Sequence, residues 1–388
     1  MLVWLLGMLT VVSWIYWLVA SWLAREFFRE PAAENLDFTP AVSILKPVKG
    51  VDPGAYENFA SFCRQDYPQY EMIFGVADPT DPVIPVIERL MREFPERPIR
   101  LSVAEPRGAN RKAGLLHHLA GQAAHDILVL SDSDIRVGPD YLRRVVAPLS
   151  DPKVGAVTCP YHGAEALTVA AGLEALHMGA TFLPSVIVAR RLLRMRFALG
   201  AGVALRRSDL ARIGGFAALA EYLADDYQLG ARLSDLGLRI QLSDYVLDIV
   251  LGAVTLREQW RREVRWARCN RVSRPREYPG LLLSFSTPLA AAWSLLSGEW
   301  RVLAASVLIR WAIAWRLTGY TGDRATRAWL PWLPVCDFLE AAVWFAGGIG
   351  RRVIWRGEEF LLAGDGRMRP LSRVAECLEA GQNATRVS

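Results

Sequence analysis

The sequence predicts an α/β fold: a mixed, mostly parallel sheet flanked by helices, with a transmembrane helix before it and membrane helices after it. Three observations carry this expectation. Residues 25–280 alternate short apolar runs with helical patterns, as a sheet covered by helices does. Met1 to Ala24 contains no charged residue. A second apolar block occupies residues 281–349. With 388 residues there is room for one large domain plus membrane segments.

The apolar N-terminal run carries Trp4, Trp14, Trp17 and Trp22 and is long enough to span a bilayer, which takes about 20 residues. A signal peptide would show a basic start and a small-residue cleavage site, and neither is present. Arg25, Arg29, Lys46 and Lys49 follow, which places that flank in the cytoplasm by the positive-inside tendency. The block after residue 280 divides into Leu281–Ser297, Val302–Thr318 and Leu330–Ile349, interrupted by Arg310, Arg316, Asp337 and Glu340. Three crossings would put the tail opposite the domain. Yet Arg351, Arg352, Arg356, Arg367, Arg369 and Arg373 favour the cytoplasm, so one stretch is expected to be interfacial or re-entrant. The intramembrane arginines are expected to snorkel. The expected organisation is an anchor at 1–24, a cytoplasmic domain at 25–280, membrane helices at 281–350 and a basic tail at 351–388.

Within the domain, Val42–Leu45 reads as the first strand and Met72–Val76 as the second, running into Asp78. Pro82–Phe94 has helical spacing, with Val86, Leu90 and Phe94 on one face. Ile99–Val103 is a strand, Lys112–Ala124 a helix, and Ile127–Leu130 a buried strand that delivers Ser131-Asp132-Ser133-Asp134. Ligands of open α/β sheets bind outside the carboxyl ends of strands, which puts Asp78 and the Asp132/Asp134 pair on one edge.

Composition narrows the partners. The chain is 52% hydrophobic with 14 Trp, and the net charge of +5 favours nucleotide diphosphates and anionic lipid surfaces. No Lys/Arg stripe interleaved with aromatics marks a nucleic-acid face. The five cysteines are scattered without a CxxC, which argues against a disulfide framework or zinc site. There is no Walker loop and no GxGxxG.

Carboxylates two apart at a strand end, as in Asp132 and Asp134, can converge on one hard cation of the kind a diphosphate needs. Asp78 at a strand end can serve a uracil or ribose edge, or simply shape the turn through Asp81 and Pro82. Asn110 can cap the helix that follows, or contact the donor together with Lys112. Lys112 in its first turn opposes the helix dipole and is better explained if it faces an anion. Asp225 and Asp226 open another helix, where one can be the cap; paired in a cleft, they raise each other's pKa, which suits a general base. Arg262, Arg265 and Trp266 share one helical face. They sit in Leu256–Ser273, a run rich in arginine (257, 261, 262, 265, 268, 271, and 274 just beyond). Such a run suits an interfacial amphipathic helix and equally a diphosphate contact. Phe197 to Gly202, with Gly200 and Gly202, would let backbone approach a substrate or make a tight turn between strands. The five histidines suggest no catalytic arrangement.

The order of these signals resembles the D, DxD, (E/D)D, (Q/R)xxRW series of inverting GT-A glycosyltransferases: Asp78, Asp132-Ser133-Asp134, Asp225-Asp226, Arg262-x-x-Arg265-Trp266. The run Leu45-Lys46-Pro47-Val48-Lys49-Gly50-Val51-Asp52-Pro53, with Asp66-Tyr67-Pro68-Gln69-Tyr70-Glu71, resembles the ceramide glucosyltransferase family, which includes bacterial relatives that glycosylate hopanoids. The similarity runs from the anchor to about Pro279, and Ile354-Trp355-Arg356-Gly357 is also similar. It implies a GT-A fold and transfer of a hexose or N-acetylhexosamine from a UDP-sugar to a membrane lipid hydroxyl, with inversion. By resemblance Asp78 contacts the nucleoside, Asp132 the donor and Asp134 a divalent cation, Mg²⁺ or Mn²⁺. Asp226 is then the base, and Arg262, Arg265 and Trp266 hold the diphosphate or shape the acceptor end. Two positions depart from the common pattern: Arg262 where many synthases have Gln, and Asp225 where relatives often have Glu. Some eukaryotic relatives carry Gly at the second Asp of DxD. The Arg-rich, Lys-poor composition fits a bacterial inner membrane, with the acceptor left open among ceramide, hopanoid and diacylglycerol. Competing readings are a processive polysaccharide synthase, which needs a larger membrane block, a non-catalytic lipid-binding protein, and a sugar-nucleotide hydrolase.

Overall fold

The computed structural model describes residues 1–29, 35–193, 195–355 and 357–371. The chain begins with helix α1 (Leu2–Phe27) and then enters a βα alternation: β1 (Val42–Pro47), α2 (Ala55–Cys63), β2 (Tyr70–Val76), α3 (Ile84–Glu93), β3 (Ile99–Val103), α4 (Arg111–Gln122) and β4 (Ile127–Ser131). Strands β1, β2 and β4 are buried at every position, because helices cover both faces of the sheet. That is why they read as unbroken apolar runs. Each expected strand and helix of this half is present, with ends shifted by a few residues, as at Ile84–Glu93 for the expected Pro82–Phe94.

The next elements are β5 (Ile135–Arg136), α5 (Tyr141–Val146), β6 (Val154–Thr158), β7 (Tyr161–Ala166), α6 (Val169–Leu176), α7 (Leu183–Leu192), β8 (Gly202–Arg206), α8 (Arg207–Arg212), α9 (Asp225–Asp235), β9 (Arg239–Leu242), β10 (Leu247–Gly252) and α10 (Leu256–Ser273). The main sheet has the order β3-β2-β1-β4-β8-β6-β9. All its pairings are parallel except those of β8, which runs antiparallel to β4 and β6. The chain builds β1, β2 and β3 outward and then returns past β1 to lay down β4. A crevice therefore opens at the carboxyl ends of β1 and β4. Because β8 is reversed, its start faces the same edge. A second sheet, β5-β10-β7, stands beside it. Phe197 to Gly202 joins α7 to β8, so the expected turn between two strands is instead a helix-to-strand connection. A long helix also starts α10 cleanly: Thr255 and Glu258 form a reciprocal capping box.

The second half of the chain adds α11 (Ser286–Ser297), α12 (Trp300–Thr321), α13 (Arg324–Trp329), α14 (Leu333–Gly348) and an antiparallel sheet of β11 (Arg352–Trp355), β12 (Glu358–Leu362) and β13 (Met368–Pro370). Among the described residues, three helices are long and apolar enough to cross a membrane: α1, α12 and the continuous helix Val169–Leu192. That last helix runs from α6 through a π-helical turn (His177–Phe182) into α7 and is mostly buried inside the fold. The sequence reading had absorbed it into the domain. The expected stretch Leu281–Ser297 is broken: the 3-10 segment Tyr278–Ser284 meets α11 at a 70° bend, the geometry of a broken span or re-entrant loop. The expected stretch Leu330–Ile349 yields a helix of 16 residues, short of a full crossing.

Arg310 overturns the snorkelling expectation. It is buried, donates to Asp337 Oδ1 at 2.9 Å, to Thr181 Oγ1 at 3.0 Å and to the Ala180 carbonyl at 3.1 Å, and lies 3.7 Å above the Trp17 ring. A neighbouring carboxylate and an aromatic face replace water more closely than a reach to the interface would. Arg316 remains exposed. The arginines of α10 also divide. Arg271 donates to the Gly348 and Gly350 carbonyls at 2.5 Å each, and Arg268 to those of Ile349 and Arg352. Gly348 ends α14 and Ile349 follows it, so these arginines bind the open carbonyl end of that helix and the turn leading into β11. Arg367 and Arg369 of the expected basic tail lie around β13, while Arg356 and Arg373 fall outside the described residues.

Candidate active site

The crevice at the carboxyl edge gathers most of the residues singled out in the sequence. Asp132 directly follows β4 and its backbone N–H donates to the Ala201 carbonyl at 3.2 Å, tying the β4 end to the start of β8. Lys112, in the first turn of α4, reaches Asp132 Oδ1 at 2.5 Å and the Gly200 carbonyl at 3.1 Å. Burial disfavours its ammonium, but the charges of Asp132 and Asp225 outweigh burial and raise its pKa. A cation against the helix dipole is explained by the anions it faces. Asn110 makes the expected cap and also joins the acidic pair. Its Oδ1 caps α4 by accepting from Ala113 N at 3.0 Å, and its Nδ2 donates to Asp225 Oδ1 at 3.1 Å.

Asp225 and Asp226 both fall in the first turn of α9, and Ala224 takes the cap position expected for one of them. Their carboxylates are thereby free for the crevice. The two oxygens of Asp226 are each held by a backbone donor: Gly200 N at 2.9 Å and Tyr227 N at 2.7 Å. Burial, reinforced by Asp225 and opposed by Lys112, pushes the Asp226 carboxyl up to about 6. Gly200 lets the backbone come close, since a Cβ would sit 3.0 Å from Asp226 Oδ2 and press on that carboxylate. Gly202 has another role. It pairs with Ser131 across β4 and β8, and a Cβ there would meet Leu247 at 2.7 Å.

Asp134 is pushed up to about 7 by burial and by the charges of Asp132 and Asp52, with Arg262 acting in the opposite sense. Ser133 Oγ donates to Asp52, which brings a third carboxylate to this turn. Sequence reasoning missed Lys46 as a site residue. It ends β1, is wholly buried, and donates to Ser131 Oγ at 3.0 Å and the Asp132 carbonyl at 3.1 Å, with its ammonium 3.6 Å from the Phe62 ring centre. Burial pulls it down to about 7 against the pull of Asp132 and Asp134. The signal was available: a lysine at the carboxyl end of an otherwise apolar strand has nowhere to go but the crevice.

Among the described residues, no group of three or more His, Cys, Asp or Glu is arranged to hold a metal unaided. Asp132 and Asp134 nonetheless fit a hard cation. They offer oxygen donors on one turn, where Lys112 pairs with Asp132 and burial disfavours the charged form of Asp134, which a cation would restore. Mg²⁺ in such sites commonly takes one or two carboxylates and completes its shell with phosphate oxygens and water.

The remaining predicted residues lie around this centre. Asp78 is exposed at the end of β2 and accepts from Thr80 N at 2.8 Å and Thr80 Oγ1 at 2.7 Å, which is the turn geometry. It shares the sheet edge without touching the carboxylates of β4. On α10, Arg262 pairs with Glu174 at 2.9 Å. Arg265 lies 6.0 Å from the ring centres of both Trp266 and Trp355, bringing the Trp355 strand against the helix. Tyr161, at the start of β7, stacks on Phe182 of the π-helical turn with centroids 5.0 Å apart. Its hydroxyl is raised by burial and by the nearby charges of Asp226, Asp132 and Asp134.

Comparison with known proteins agrees with this geometry. The chain is 22% identical over 346 residues to ceramide glucosyltransferase 1 of Caenorhabditis elegans, covering 85% of this chain and 73% of that protein. It is 23% identical over 280 residues to beta-monoglucosyldiacylglycerol synthase of Synechocystis, covering 66% and 55%. Among solved structures, mannosyltransferase PcManGT from Pyrobaculum calidifontis, determined with GDP-Man and Mn²⁺, superposes with a TM-score of 0.52 at 22% identity, covering 88% of this chain and 98% of that one. The mixed, mostly parallel sheet is accordingly of the GT-A type, as the motif order implied. Residues 5–368 match glycosyl transferase family 21, and the chain belongs to this family of glycosyltransferases.

Proposed function

We propose that this glycosyltransferase moves a hexose or N-acetylhexosamine from a UDP-sugar to the hydroxyl of a membrane lipid, with inversion at the anomeric carbon. The observation that carries this reading is Asp226. Its two oxygens are fixed by backbone N–H groups, it lines one crevice with Lys112, which pairs with Asp132, and burial raises its pKa to about 6. A carboxylate so oriented, and basic enough to take a proton near neutral pH, is what an acceptor hydroxyl needs. The similarity to ceramide and diacylglycerol glucosyltransferases supports a lipid as acceptor.

In this reading Asp78 lies toward the nucleoside and Asp132 toward the donor diphosphate. A Mg²⁺ or Mn²⁺ ion held by Asp132 and Asp134 would neutralise diphosphate charge. Lys112 holds Asp132 in place through their ion pair, and Lys46 supports the same turn from below. The acceptor hydroxyl gives its proton to Asp226 as its oxygen attacks the anomeric carbon in line. The bond to the UDP oxygen breaks, and Arg262 and Arg265 meet the charge that develops there. No covalent enzyme intermediate is required. Residues 1–24 and 281–350 would seat the protein in a membrane, with residues 25–280 at its cytoplasmic face and Trp266 toward the acceptor end.

The test is transfer by the detergent-purified protein with Mn²⁺ or Mg²⁺. UDP-glucose and UDP-N-acetylglucosamine are offered against ceramide, diacylglycerol and a hopanoid polyol, with products read by mass spectrometry. A new glycolipid that disappears in Asp226→Asn is the expected result. UDP release independent of every acceptor would instead make the protein a hydrolase.

A further inference from the structure

The π-helical junction between α6 and α7 carries charge into the interior of the fold. Glu174 of α6 is wholly buried, and its Oε1 accepts from Arg262 Nη1 at 2.9 Å. Its Oε2 is buried as well and accepts no hydrogen bond among the described residues. Other acids are close by, but they have other partners. His177 Nδ1 lies 3.2 Å from Glu340 Oε1 of α14, and Gln259 donates to Glu263 at 3.2 Å. Glu174 is the carboxylate that faces the arginine motif. The charges of Arg262, His177 and Arg265 act on it, and that of Arg262 also acts on Asp134.

A pair that merely fastened α6 to α10 would use both carboxylate oxygens and bury the arginine. Here the guanidinium stays 31% exposed and spends one hydrogen bond on Glu174. A guanidinium has five N–H donors in a rigid fork, so the rest remain for oxygens in the cleft. We propose that Glu174 is a positioning residue for the transfer step: it fixes the partly exposed Arg262 guanidinium, oriented before the leaving diphosphate gains its charge. This rests on the reaction proposed above. Preorganised donors of this kind act mainly where charge develops. Loss of Glu174 therefore affects the departing UDP and the turnover more than the intact UDP-sugar.

The experiment is a double-mutant cycle in the full chain: wild type, Glu174→Gln, Arg262→Ala and the double variant. Glu174→Gln keeps the shape of the buried side chain, and thermal unfolding confirms that each variant is folded. Expected for Glu174→Gln are a kcat lowered about tenfold, a donor KM within about threefold of wild type, and UDP affinity with Mn²⁺ weakened about tenfold. In the Arg262→Ala background the same change should cost nothing further in either quantity. Additive losses, or a Glu174→Gln enzyme with wild-type kcat and UDP affinity, would overturn the assignment. Should wild type glycosylate no lipid at all, the reaction reading fails by itself. The calorimetric UDP–Mn²⁺ cycle then still decides whether Glu174 acts through Arg262.

Discussion

Asp226 sets the first expectation at the scale of single residues. Its carboxyl must be ionised to accept a proton, and its pKa of about 6 lies above the ordinary carboxylate value. The logarithm of kcat/KM should therefore rise with pH through an acid limb near 6 and level off above it. A limb near 4 would mean that another group accepts the proton. Asp226→Asn should lower turnover by roughly 10²–10⁴-fold. Lys46→Met provides a separate check, because it strips the donor from Ser131 Oγ and the Asp132 carbonyl in a buried place. About 1–3 kcal/mol of stability should be lost, read as a lower Tm in detergent. The residues that the sequence made legible are those whose type and position already conflict with a plain structural role. Lys112 opposes a helix dipole, and Asp132 and Asp134 share a strand end. Arg262 was legible as a motif position, but Glu174 was not. Its partner lies 88 residues away, and no local pattern marks a glutamate inside an apolar helix as one end of a pair.

At the scale of elements, the contact of α10 with α14 depends on small residues and on arginine side chains. A Cβ on Gly347 would stand 2.4 Å from that of Ala267 and 2.8 Å from the Tyr278 hydroxyl. Gly347→Val should force the helices apart and cost about 1–3 kcal/mol, measured by thermal unfolding. An unchanged Tm would show that the two helices do not need this approach. The strands and helices up to β4 were readable because each is a short apolar run bounded by turn residues. The reversed β8 was not. Strand direction is set by pairing with β4 and β6, which no window of sequence contains. Likewise, the arginines of α10 suggested a lipid-facing surface. Two of them also bind carbonyls at the end of α14, which begins 60 residues after α10 ends.

At the scale of the whole molecule, the buried pair of Arg310 and Asp337 joins α12 to α14 and, through Thr181 and Trp17, to the π-helical turn and α1. Removing one member leaves an uncompensated buried charge, which costs about 3–5 kcal/mol. Arg310→Met or Asp337→Leu alone should sharply reduce the folded, extractable protein, while the double variant should recover much of it, as read by size-exclusion chromatography. Equal losses in all three would mean that the pair's worth lies in its contacts with Trp17 and with Thr287, whose hydroxyl donates to Asp337. The same cluster also has a consequence for biosynthesis. Trp14 donates to Ser306, 292 residues further along the chain, and the face of α1 that carries Trp17 is closed by α12. At about 5–20 residues per second, a ribosome completes α12 tens of seconds after α1 has emerged. For that interval Trp14 lacks Ser306 and Trp17 lacks the Arg310 guanidinium. The final seat of α1 forms only when the last third of the protein folds back onto it, so a nascent chain that stalls before α12 carries its first helix without that seat.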